Sequence, residues 1–314
     1  MKNKILVLGS NGLVGSSLVR RFTNENKYEV IESTRKSTNL FNFEETKVLI
    51  EKVKPDLIIN AAAKVGGIQA NNTLGTEFIL ENLKININLL EACIPFNEIK
   101  IINLGSSCIY PLEAKNPIKE TSFMDGKLEP TNSPYAMAKL TAIEMGKSLK
   151  KDHGHQILNL MPTNLYGPND SFSEDHSHVI PGIIRRIHKS KINNESEFQL
   201  WGTGKPLREF LYVDDLAEAI QFIIENDIND DLLNVGSGEE ISIYELSLLI
   251  KEIVNYDGKI IFDQTKPDGN PRKLLDSSKL NSYGWSAKTS LSDGLKTTYR
   301  CCLLYTSPSP RDGR

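Results

Sequence analysis

Short apolar runs alternate with longer amphipathic segments through the first half of the chain. The runs are rich in Val, Ile and Leu, and they predict strands at Lys4–Leu8, Tyr28–Ser33, Asp56–Asn60, Ile99–Leu104 and Gln156–Leu160. The segments between them predict helices at Leu13–Phe22, Glu44–Lys52, Glu77–Cys93 and Pro134–Lys150. This alternation indicates right-handed βαβ units, and hence an α/β fold with a doubly wound parallel sheet.

The regular alternation of strand and helix patterns ends at about residue 173. Loops lengthen, glycine and proline cluster at 201–206 and 266–271, and the elements become shorter. We therefore expect a sheet domain at 1–172, with crossings from the C-terminal half, and a smaller α/β lobe at 173–300. The last segment, 301–314, reads CCLLYTSPSPRDGR and has neither a helical nor a strand period. We expect it to be a disordered or non-native tail.

Composition and charge narrow the class of protein. The 314 residues are 39% apolar and 25% charged, which excludes disordered and fibrous classes. The 37 basic and 40 acidic side chains give a net charge of −3, so a nucleic-acid partner is not expected. No apolar run reaches the roughly 20 residues that a membrane helix needs, and no signal peptide is evident. The four cysteines show neither disulfide nor zinc spacing, so we expect a cytoplasmic protein without a metal site.

Three glycines follow the first predicted strand at a spacing typical of a dinucleotide-binding turn. Gly9, Gly12 and Gly15 form G-x-x-G-x-x-G between that strand and the first helix. Glycine lets the backbone turn tightly and approach a pyrophosphate, whose charge lies at the helix N-terminus. Because the strand and the helix supply the context that the motif requires, we expect a Rossmann-type dinucleotide-binding domain.

The end of the second strand bears on the choice of cofactor. NAD sites favour an acidic residue there, whereas NADP sites place an arginine near the 2′-phosphate. Glu32 lies within the strand pattern, and Arg35 and Lys36 follow it. The run favours NADP(H), with Arg35 near the 2′-phosphate. The alternative is that the two basic residues form a solvent-exposed turn.

A tyrosine and a lysine begin the fourth predicted helix. Tyr135 and Lys139 form Y-x-x-x-K, a spacing that puts both side chains on one face. A free tyrosine titrates near 10, and the charge of Lys139 can favour its phenolate. Ser106 and Ser107 follow the fourth strand, at the edge where open α/β sheets bind ligands. Either hydroxyl can hydrogen-bond a substrate carbonyl that receives hydride.

Taken in order, these residues resemble the extended short-chain dehydrogenase/reductase family, together with Asn60–Ala63 and Pro162–Pro168. Further blocks are similar to one branch of it, which epimerises and reduces GDP-4-keto-6-deoxy-mannose. These blocks are Ala61–Ile68, Gly105–Pro111, Leu128–Asn132, Ser177–Pro181, Arg208–Leu211, Lys266–Gly269 and Pro271–Asp276. The similarity runs from residue 1 to about residue 299, so the tail is where the chain departs from the family.

The resemblance implies a two-step reaction, in which 3,5-epimerisation is followed by reduction at C4 with NADPH to give GDP-L-fucose. The 4-keto group acidifies the hydrogens on C3 and C5, so each centre can invert through an enolate. Cys108 and His178 match the family's pair for this proton exchange, and thiolate and imidazole suit it near neutral pH. Tyr135, assisted by Lys139, protonates the alkoxide that hydride transfer produces. His155 lies in a polar loop, and we expect it at the surface.

The resemblance also implies binding residues. Arg186 and Arg208 match positions that contact the substrate diphosphate, and Trp201 and Asp268 match positions at the base or sugar. Ser106 matches the carbonyl-binding serine, although the sequence alone does not separate it from Ser107. The implied cofactor contacts are Gly9, Ser10, Asn11, Gly12, Leu13, Val14, Gly15, Arg35, Leu104, Gly105, Ser106, Ser107, Lys139, Pro162, Thr163, Asn164, Leu165 and His178.

Two other functions fit the same residues. One is a reductase or epimerase for a different nucleotide-linked 4-keto sugar, and the other is a non-catalytic dinucleotide-binding scaffold. A scaffold typically loses the tyrosine or the lysine, and both are present here. The family further implies a homodimer formed by the helices at Glu77–Cys93 and Pro134–Lys150.

Overall fold

The computed structural model describes residues 2–173, 177–266 and 268–306. In this part of the chain the strands, in order, are β1 (Asn3–Leu8), β2 (Tyr28–Ser33), β3 (Leu57–Asn60), β4 (Lys100–Leu104), β5 (Ile157–Pro162), β6 (Asn164–Tyr166), β7 (Glu197–Trp201), β8 (Leu207–Tyr212), β9 (Leu232–Val235), β10 (Glu240–Ser242), β11 (Lys259–Asp263) and β12 (Arg272–Lys273).

The helices of the same residues are α1 (Leu13–Thr23), α2 (Phe43–Val53), α3 (Ile68–Thr73), α4 (Gly75–Cys93), α5 (Ser133–His153), α6 (Val179–Ile192), α7 (Val213–Glu225), α8 (Ile243–Val254), α9 (Ser278–Ser282) and α10 (Leu291–Thr306). Short 3₁₀ turns lie at Ser107–Ile109 and Glu120–Ser122. The five strands and four helices predicted for the first half are therefore confirmed to within a few residues.

The central sheet is parallel throughout, in the strand order β2-β1-β3-β4-β5-β9. The chain moves from β1 to β2 on one side and then to β3 on the other, so the order reverses at the β1–β3 boundary. Helices cover both faces, which explains why the strands are apolar runs rather than alternating patterns. The predicted doubly wound Rossmann-type fold is confirmed.

Two hydrophobic layers enclose the central sheet. On one face α1 contributes Leu18 and Phe22, and α7 contributes Ile220, all fully buried. On the other face Ile50 of α2 and Leu89 of α4 pack against the strands. Because α7 and β9 join this sheet from the C-terminal half, the chain returns to the first domain after entering the lobe.

Local signals set the ends of the major helices. Pro134 lies in the first turn of α5, and Gly154 ends the helix with a φ of +78°. Ser242 and Glu245 form a reciprocal capping box at the start of α8, where each side chain accepts a hydrogen bond from the other residue's backbone N–H. The α5 helix is therefore fixed at the end that bears Tyr135.

The smaller lobe is built around β8. This strand pairs in parallel with β6 and β12 and antiparallel with β10, while β7 and β11 form a separate parallel pair. Its core combines side chains of α6, α8 and α10, including Ile187, Ile250 and Leu295. The α10 helix runs past the expected boundary at residue 300, and Cys302 is fully buried in this core. The end of the expected tail, residues 307–314, lies outside the described residues.

Among the described residues, no helix is both long and apolar enough to cross a membrane.

His155 departs from its expected place at the surface. It lies between α5 and β5 with an exposed fraction of 1%. Neither ring nitrogen has a partner with hydrogen-bond geometry among the described residues. Burial lowers the pKa of His155, and the Ile94 carbonyl and the Glu98 carboxylate only partly oppose that shift. The residues next to His155 in the sequence are polar and do not indicate this burial, because it results from packing against the core of the first domain.

His155 is expected to make the fold sensitive to acid. Because its folded pKa lies below the ordinary value near 6.5, the unfolded chain binds more protons as the pH falls through that value. Stability is therefore full at neutral pH and decreases on acidification. We expect the unfolding temperature to fall by a few degrees less in His155→Leu than in the unsubstituted chain between about pH 7 and pH 5.

Thermal melts across that range test the prediction, with the exposed His153→Leu as the matched control. An acid dependence that is the same in His155→Leu and in the unsubstituted chain would contradict it.

Candidate active site

A cavity of about 670 Å³ lies at the carboxyl ends of β1, β3, β4 and β5, where the central sheet meets the smaller lobe. This is the edge at which open α/β sheets bind ligands, next to the reversal of strand order. The predicted site residues that line the cavity are Gly12, Leu13, Val14, Leu104, Gly105, Ser106, Ser107, Cys108, Tyr135, Lys139, Pro162, Thr163, Asn164, Leu165, His178, Arg186, Trp201, Arg208 and Asp268.

The glycine turn is shaped by close backbone contacts. Gly9 has a φ of +75°, and a Cβ there would lie 2.9 Å from the Ala62 Cα. A Cβ on Gly15 would lie 2.0 Å from the Gly9 carbonyl oxygen, so only glycine lets α1 begin this close to the strand end. The Gly12 N–H donates to the Gly9 carbonyl at 3.0 Å. Gly9 and Gly15 therefore form the turn, while Gly12 to Val14 face the cavity.

Besides Gly9 and Gly15, three further expected cofactor contacts lie outside the cavity lining. Ser10 is buried, and its backbone N–H and hydroxyl both donate to the Ser33 carbonyl. Asn11 is exposed at the outer side of the turn. Arg35 is exposed in the turn after β2, where its guanidinium lies 4.9 Å from the centre of the Phe41 ring. The guanidinium of Arg35 is thus exposed to solvent beside the glycine turn.

Tyr135 and Lys139 lie side by side at the bottom of the cavity. The Lys139 Nζ donates to the Leu104 carbonyl at 2.8 Å and lies 5.8 Å from the centre of the Tyr135 ring. Burial lowers the pKa of Lys139 to about 8. Burial also raises the pKa of Tyr135, an effect to which Cys108 adds and which a hydrogen bond with Ser106 opposes. In this structure the phenol is therefore held protonated, which differs from the expected preference for phenolate.

The two serines after β4 have different environments. Ser106 caps the 3₁₀ turn by accepting from the Cys108 backbone N–H at 3.2 Å, and its hydroxyl also meets the Tyr135 phenol. Ser107 is 4% exposed and forms the first residue of that turn. The geometry therefore favours Ser106 as the serine that can share a carbonyl oxygen with Tyr135.

Cationic side chains surround the Cys108 sulfur. The Lys273 Nζ donates to the Cys108 Sγ at 3.6 Å. Burial lowers the pKa of Arg208, and the neighbouring Asp268 and Cys108 oppose that shift. The sulfur of Cys108 therefore lies in a positively charged part of the cavity wall. Lys273 was not among the expected site residues, although it lies within the Pro271–Asp276 block, which supplied the only signal for it.

Glu209 fixes the strands that bring these cations to the cysteine. It is fully buried, and its two carboxylate oxygens accept from the backbone N–H groups of Gly238 and Leu275 at 2.8 and 3.0 Å. Its carbonyl accepts from the Thr163 hydroxyl and the Asn164 amide. Sequence reasoning missed this residue, because a glutamate directly after Arg208 reads as a second polar surface position.

His178 lines the cavity and is the N-cap residue of α6. The preceding residues 174–176 are outside the described part of the chain. Asp170 also lines the cavity, and its Oδ2 is buried without a hydrogen-bond partner among the described residues. Burial raises the pKa of Asp170, while the positive charge of His178 and the Ser171 backbone N–H oppose that shift.

The remaining expected substrate residues form the lobe side of the cavity. The Arg186 guanidinium lies 4.6 Å from the centre of the Trp201 ring and donates to the Gly182 and Gln199 carbonyls. Burial, with a smaller effect of the charge of a neighbouring arginine, lowers the pKa of Arg186 to about 10. Trp201 is 43% exposed, so part of its ring is open to a ligand.

Asp268 is already engaged within the lobe. Its two carboxylate oxygens accept from the backbone N–H and the hydroxyl of Thr203, at 2.7 and 2.8 Å. A Cβ on Gly202 would lie 2.2 Å from the Asp268 Oδ1, so the 202–204 turn depends on glycine there. Asp268 thus orders this turn and keeps lone pairs for further donors.

Known proteins share this sequence and fold. The model of the NAD dependent epimerase/dehydratase family matches residues 5–236. A GDP-L-fucose synthase 1 of Arabidopsis thaliana is 46% identical over 296 residues, covering 94% of this chain and 92% of that protein. A GDP-L-fucose synthase of Escherichia coli is 40% identical over 311 residues, covering 96% of this chain and 97% of that protein.

A solved structure agrees with these relatives. A GDP-L-fucose synthetase from Naegleria fowleri bound to NADP superimposes with a TM-score of 0.88 at 27% identity, covering 98% of this chain and 97% of that one. The resemblance expected from the motifs is confirmed, and the chain belongs to the NAD dependent epimerase/dehydratase family, within the extended short-chain dehydrogenases/reductases.

Proposed function

We propose that this chain converts GDP-4-keto-6-deoxy-D-mannose to GDP-L-fucose, by epimerisation at C3 and C5 followed by NADPH-dependent reduction at C4. One observation supports it above the others: a single cavity holds both a reductase set, Ser106, Tyr135 and Lys139, and a pair for proton exchange, Cys108 and His178. A plain reductase needs only the first set. The named relatives support the same reaction.

The glycine turn fits a dinucleotide. A Cβ at Gly9 or Gly15 would clash, so both positions require glycine and no side chain covers the backbone there. The N-cap residue of α1, Gly12, also has no capping side chain. The first N–H groups of α1 are therefore free to bind a pyrophosphate. Lys139, Asn164 and Leu165 would hold the ribose and nicotinamide end. The NADP-bound relative supports NADP(H) as the cofactor, with Arg35 turning to the 2′-phosphate.

Cys108 acts as the base of the epimerisation and removes the proton on C3 or C5. The Lys273 ammonium, 3.6 Å from its sulfur, and the Arg208 guanidinium supply positive charge next to it. Ser106 and Tyr135 donate hydrogen bonds to the 4-keto oxygen and stabilise the enolate charge there. His178, which lines the same cavity, returns a proton to the opposite face of the carbon, which inverts the centre.

Tyr135 acts as the acid of the reduction. When bound, NADPH supplies the hydride that C4 receives. Because burial raises its pKa, Tyr135 is protonated at neutral pH and can donate its proton to the developing O4 alkoxide. The Lys139 ammonium then stabilises the phenolate that remains.

The lobe side of the cavity binds the nucleotide. Arg208 and Arg186 supply positive charge for the diphosphate, since guanidinium groups pair with phosphate oxygens through two donors. Trp201 offers its exposed ring area to the base or the sugar. Asp268, held by Thr203, accepts hydrogen bonds from substrate hydroxyls.

The chain forms a homodimer in the cytoplasm. Leu80 and Ile87 lie seven residues apart on one side of α4 and are 49% and 39% exposed, and Met137 of the adjoining α5 is 45% exposed. Exposed apolar side chains on two packed helices are typical of an interface between copies. The cysteines form no disulfide among the described residues, which supports a reducing compartment.

The proposed reaction predicts separable steps. With GDP-4-keto-6-deoxy-D-mannose, NADPH oxidation followed at 340 nm should yield GDP-L-fucose by NMR. In deuterium oxide without NADPH, the substrate should incorporate deuterium at C3 and C5. Cys108→Ser and His178→Gln should each slow that incorporation at least about 100-fold, because each removes one proton-exchanging group.

In the same assay Cys301→Ser and the exposed His153→Gln are the matched controls and should behave as the unsubstituted chain. Reduction that yields an unepimerised 6-deoxy sugar in the unsubstituted chain would favour a plain reductase instead. Unchanged deuterium incorporation in Cys108→Ser or His178→Gln would contradict the role assigned to that residue.

The lowered pKa of Lys139 predicts that activity decreases at alkaline pH. Its pKa of about 8 means that its charge is present below pH 8 and is lost as the pH rises through that value. We expect kcat/KM for NADPH, which reports the free protein, to fall above about pH 8. Lys139→Met should lose at least about 100-fold in kcat/KM and should not unfold at a lower temperature, because burial penalises the ammonium.

Lys151→Met, at an exposed position on the same helix, is the control. Its kcat/KM should decrease above about pH 8 as in the unsubstituted chain. A profile of the unsubstituted chain that stays flat up to pH 10 is the result that would rule out this role for the charge.

The proposed interface predicts that charged substitutions in α4 separate the dimer into monomers. Leu80→Glu with Ile87→Glu places like charges at the proposed interface and should convert a roughly 70 kDa species to the 35.2 kDa monomer in light scattering. Ile192→Glu, on an exposed apolar residue of α6, is the control and should leave the mass unchanged. A monomeric unsubstituted chain at micromolar concentration would refute the interface.

A further inference from the structure

Asp170 is a carboxylate in the cavity wall to which the proposed reaction gives no role. It follows β6 in a loop where its backbone N–H donates to the Gly167 carbonyl at 3.3 Å. Its Oδ1 accepts from the Ser171 backbone N–H at 2.7 Å. Its Oδ2 is buried and has no hydrogen-bond partner among the described residues. A buried carboxylate oxygen without a donor is costly, so a donor is expected to meet it.

In the other carboxylates of the cavity wall, both oxygens already have a protein partner. In the described part of the lining these are Glu129 and Asp268. Glu129 accepts from Thr131 and Asn132 and so organises the start of α5. The two oxygens of Asp268 each accept from Thr203. Asp170 alone of these three keeps a buried oxygen without any partner among the described residues.

His178 is the charged group that acts on Asp170. It lines the same cavity, and its positive charge opposes the effect of burial on that carboxyl. A carboxylate that accepts from one imidazole N–H fixes the tautomer and the ring orientation, and it stabilises the imidazolium. The second ring nitrogen is then directed away from the carboxylate, toward the space where the sugar would lie.

We propose that Asp170 is the positioning residue of His178: its Oδ2 accepts a hydrogen bond from one ring nitrogen, so that the other nitrogen is the one that returns the proton to C3 and C5. This rests on the proposed function. In the step itself, the C–H proton passes to the Cys108 thiolate, and the imidazolium loses its outer proton to the enolate carbon. The neutral imidazole keeps the N–H that faces Asp170, and exchange with solvent restores both groups.

Asp170→Asn tests the proposal, because it keeps the shape and removes the charge. We expect deuterium incorporation at C3 and C5, measured by NMR in the absence of NADPH, to have a kcat about 10- to 100-fold lower. KM should stay within about twofold, and NADP binding should be unchanged, because the proposed contact of Oδ2 is with the His178 ring. The exposed Asp257→Asn is the matched control and should retain full exchange.

A double-mutant cycle separates positioning from a merely structural role. If Asp170 acts through His178, adding Asp170→Asn to His178→Gln causes no further loss of exchange. A further loss of the same size in the double variant would overturn the proposal, as would full exchange in Asp170→Asn. Absence of exchange in the unsubstituted chain would instead refute the proposed function itself.

A measurement on the unsubstituted chain covers the case in which Asp170→Asn does not fold. In ¹⁵N–¹H correlation spectra of the histidine rings, the His178 signal is identified by its loss in His178→Gln. When the ring is in its neutral form, we expect one fixed tautomer with a slowly exchanging, downfield N–H that faces Asp170. Averaged signals from two tautomers, as in a free imidazole, would overturn the proposal.

Discussion

The site depends on the buried carboxylate of Glu209. Its side chain accepts from the backbone of Gly238 and Leu275, and its carbonyl accepts from Thr163 and Asn164. These bonds join the end of the central sheet, the β9–β10 loop and the segment after β12 to β8. Because a charged group without exposure is tolerated only when its lone pairs are satisfied, this arrangement has little freedom to shift. Lys273 and Arg208 are thereby held at the cysteine.

The cavity places opposite charges near the two groups proposed for proton exchange. Cys108 lies 3.6 Å from the Lys273 ammonium and also near the Arg208 guanidinium. His178 lines the same cavity as Asp170, and its positive charge acts on that buried carboxyl. Acid and base chemistry near neutral pH requires groups whose surroundings stabilise opposite charge states. The proposed epimerisation uses both groups on a 4-keto sugar bound in this cavity.

Burial has a separate effect on the reductase set. Lys139 loses part of its preference for the charged form, and Tyr135 is held protonated. Neither shift follows from the Y-x-x-x-K spacing, which places the side chains on one face but says nothing of their solvation. The burial that raises the pKa of Tyr135 keeps the phenol in the protonated form that the proposed reduction requires.

The sequence by itself determined the doubly wound sheet, its strands and helices to within a few residues, and the glycine turn. Most of the predicted site residues also line the cavity, although Ser10, Asn11 and Arg35 and the turn glycines Gly9 and Gly15 do not. The predicted features depend on local period, turn chemistry and spacing, which neighbouring residues specify directly. Only the tertiary structure decided the burial of His155, the contact of Lys273 with Cys108, the role of Glu209 and the open oxygen of Asp170. Each of these depends on desolvation and on partners that are distant in sequence, such as Cys108 and Lys273, which differ by 165 in residue number. No local pattern encodes a contact of that kind, because the packing of two sheets creates it.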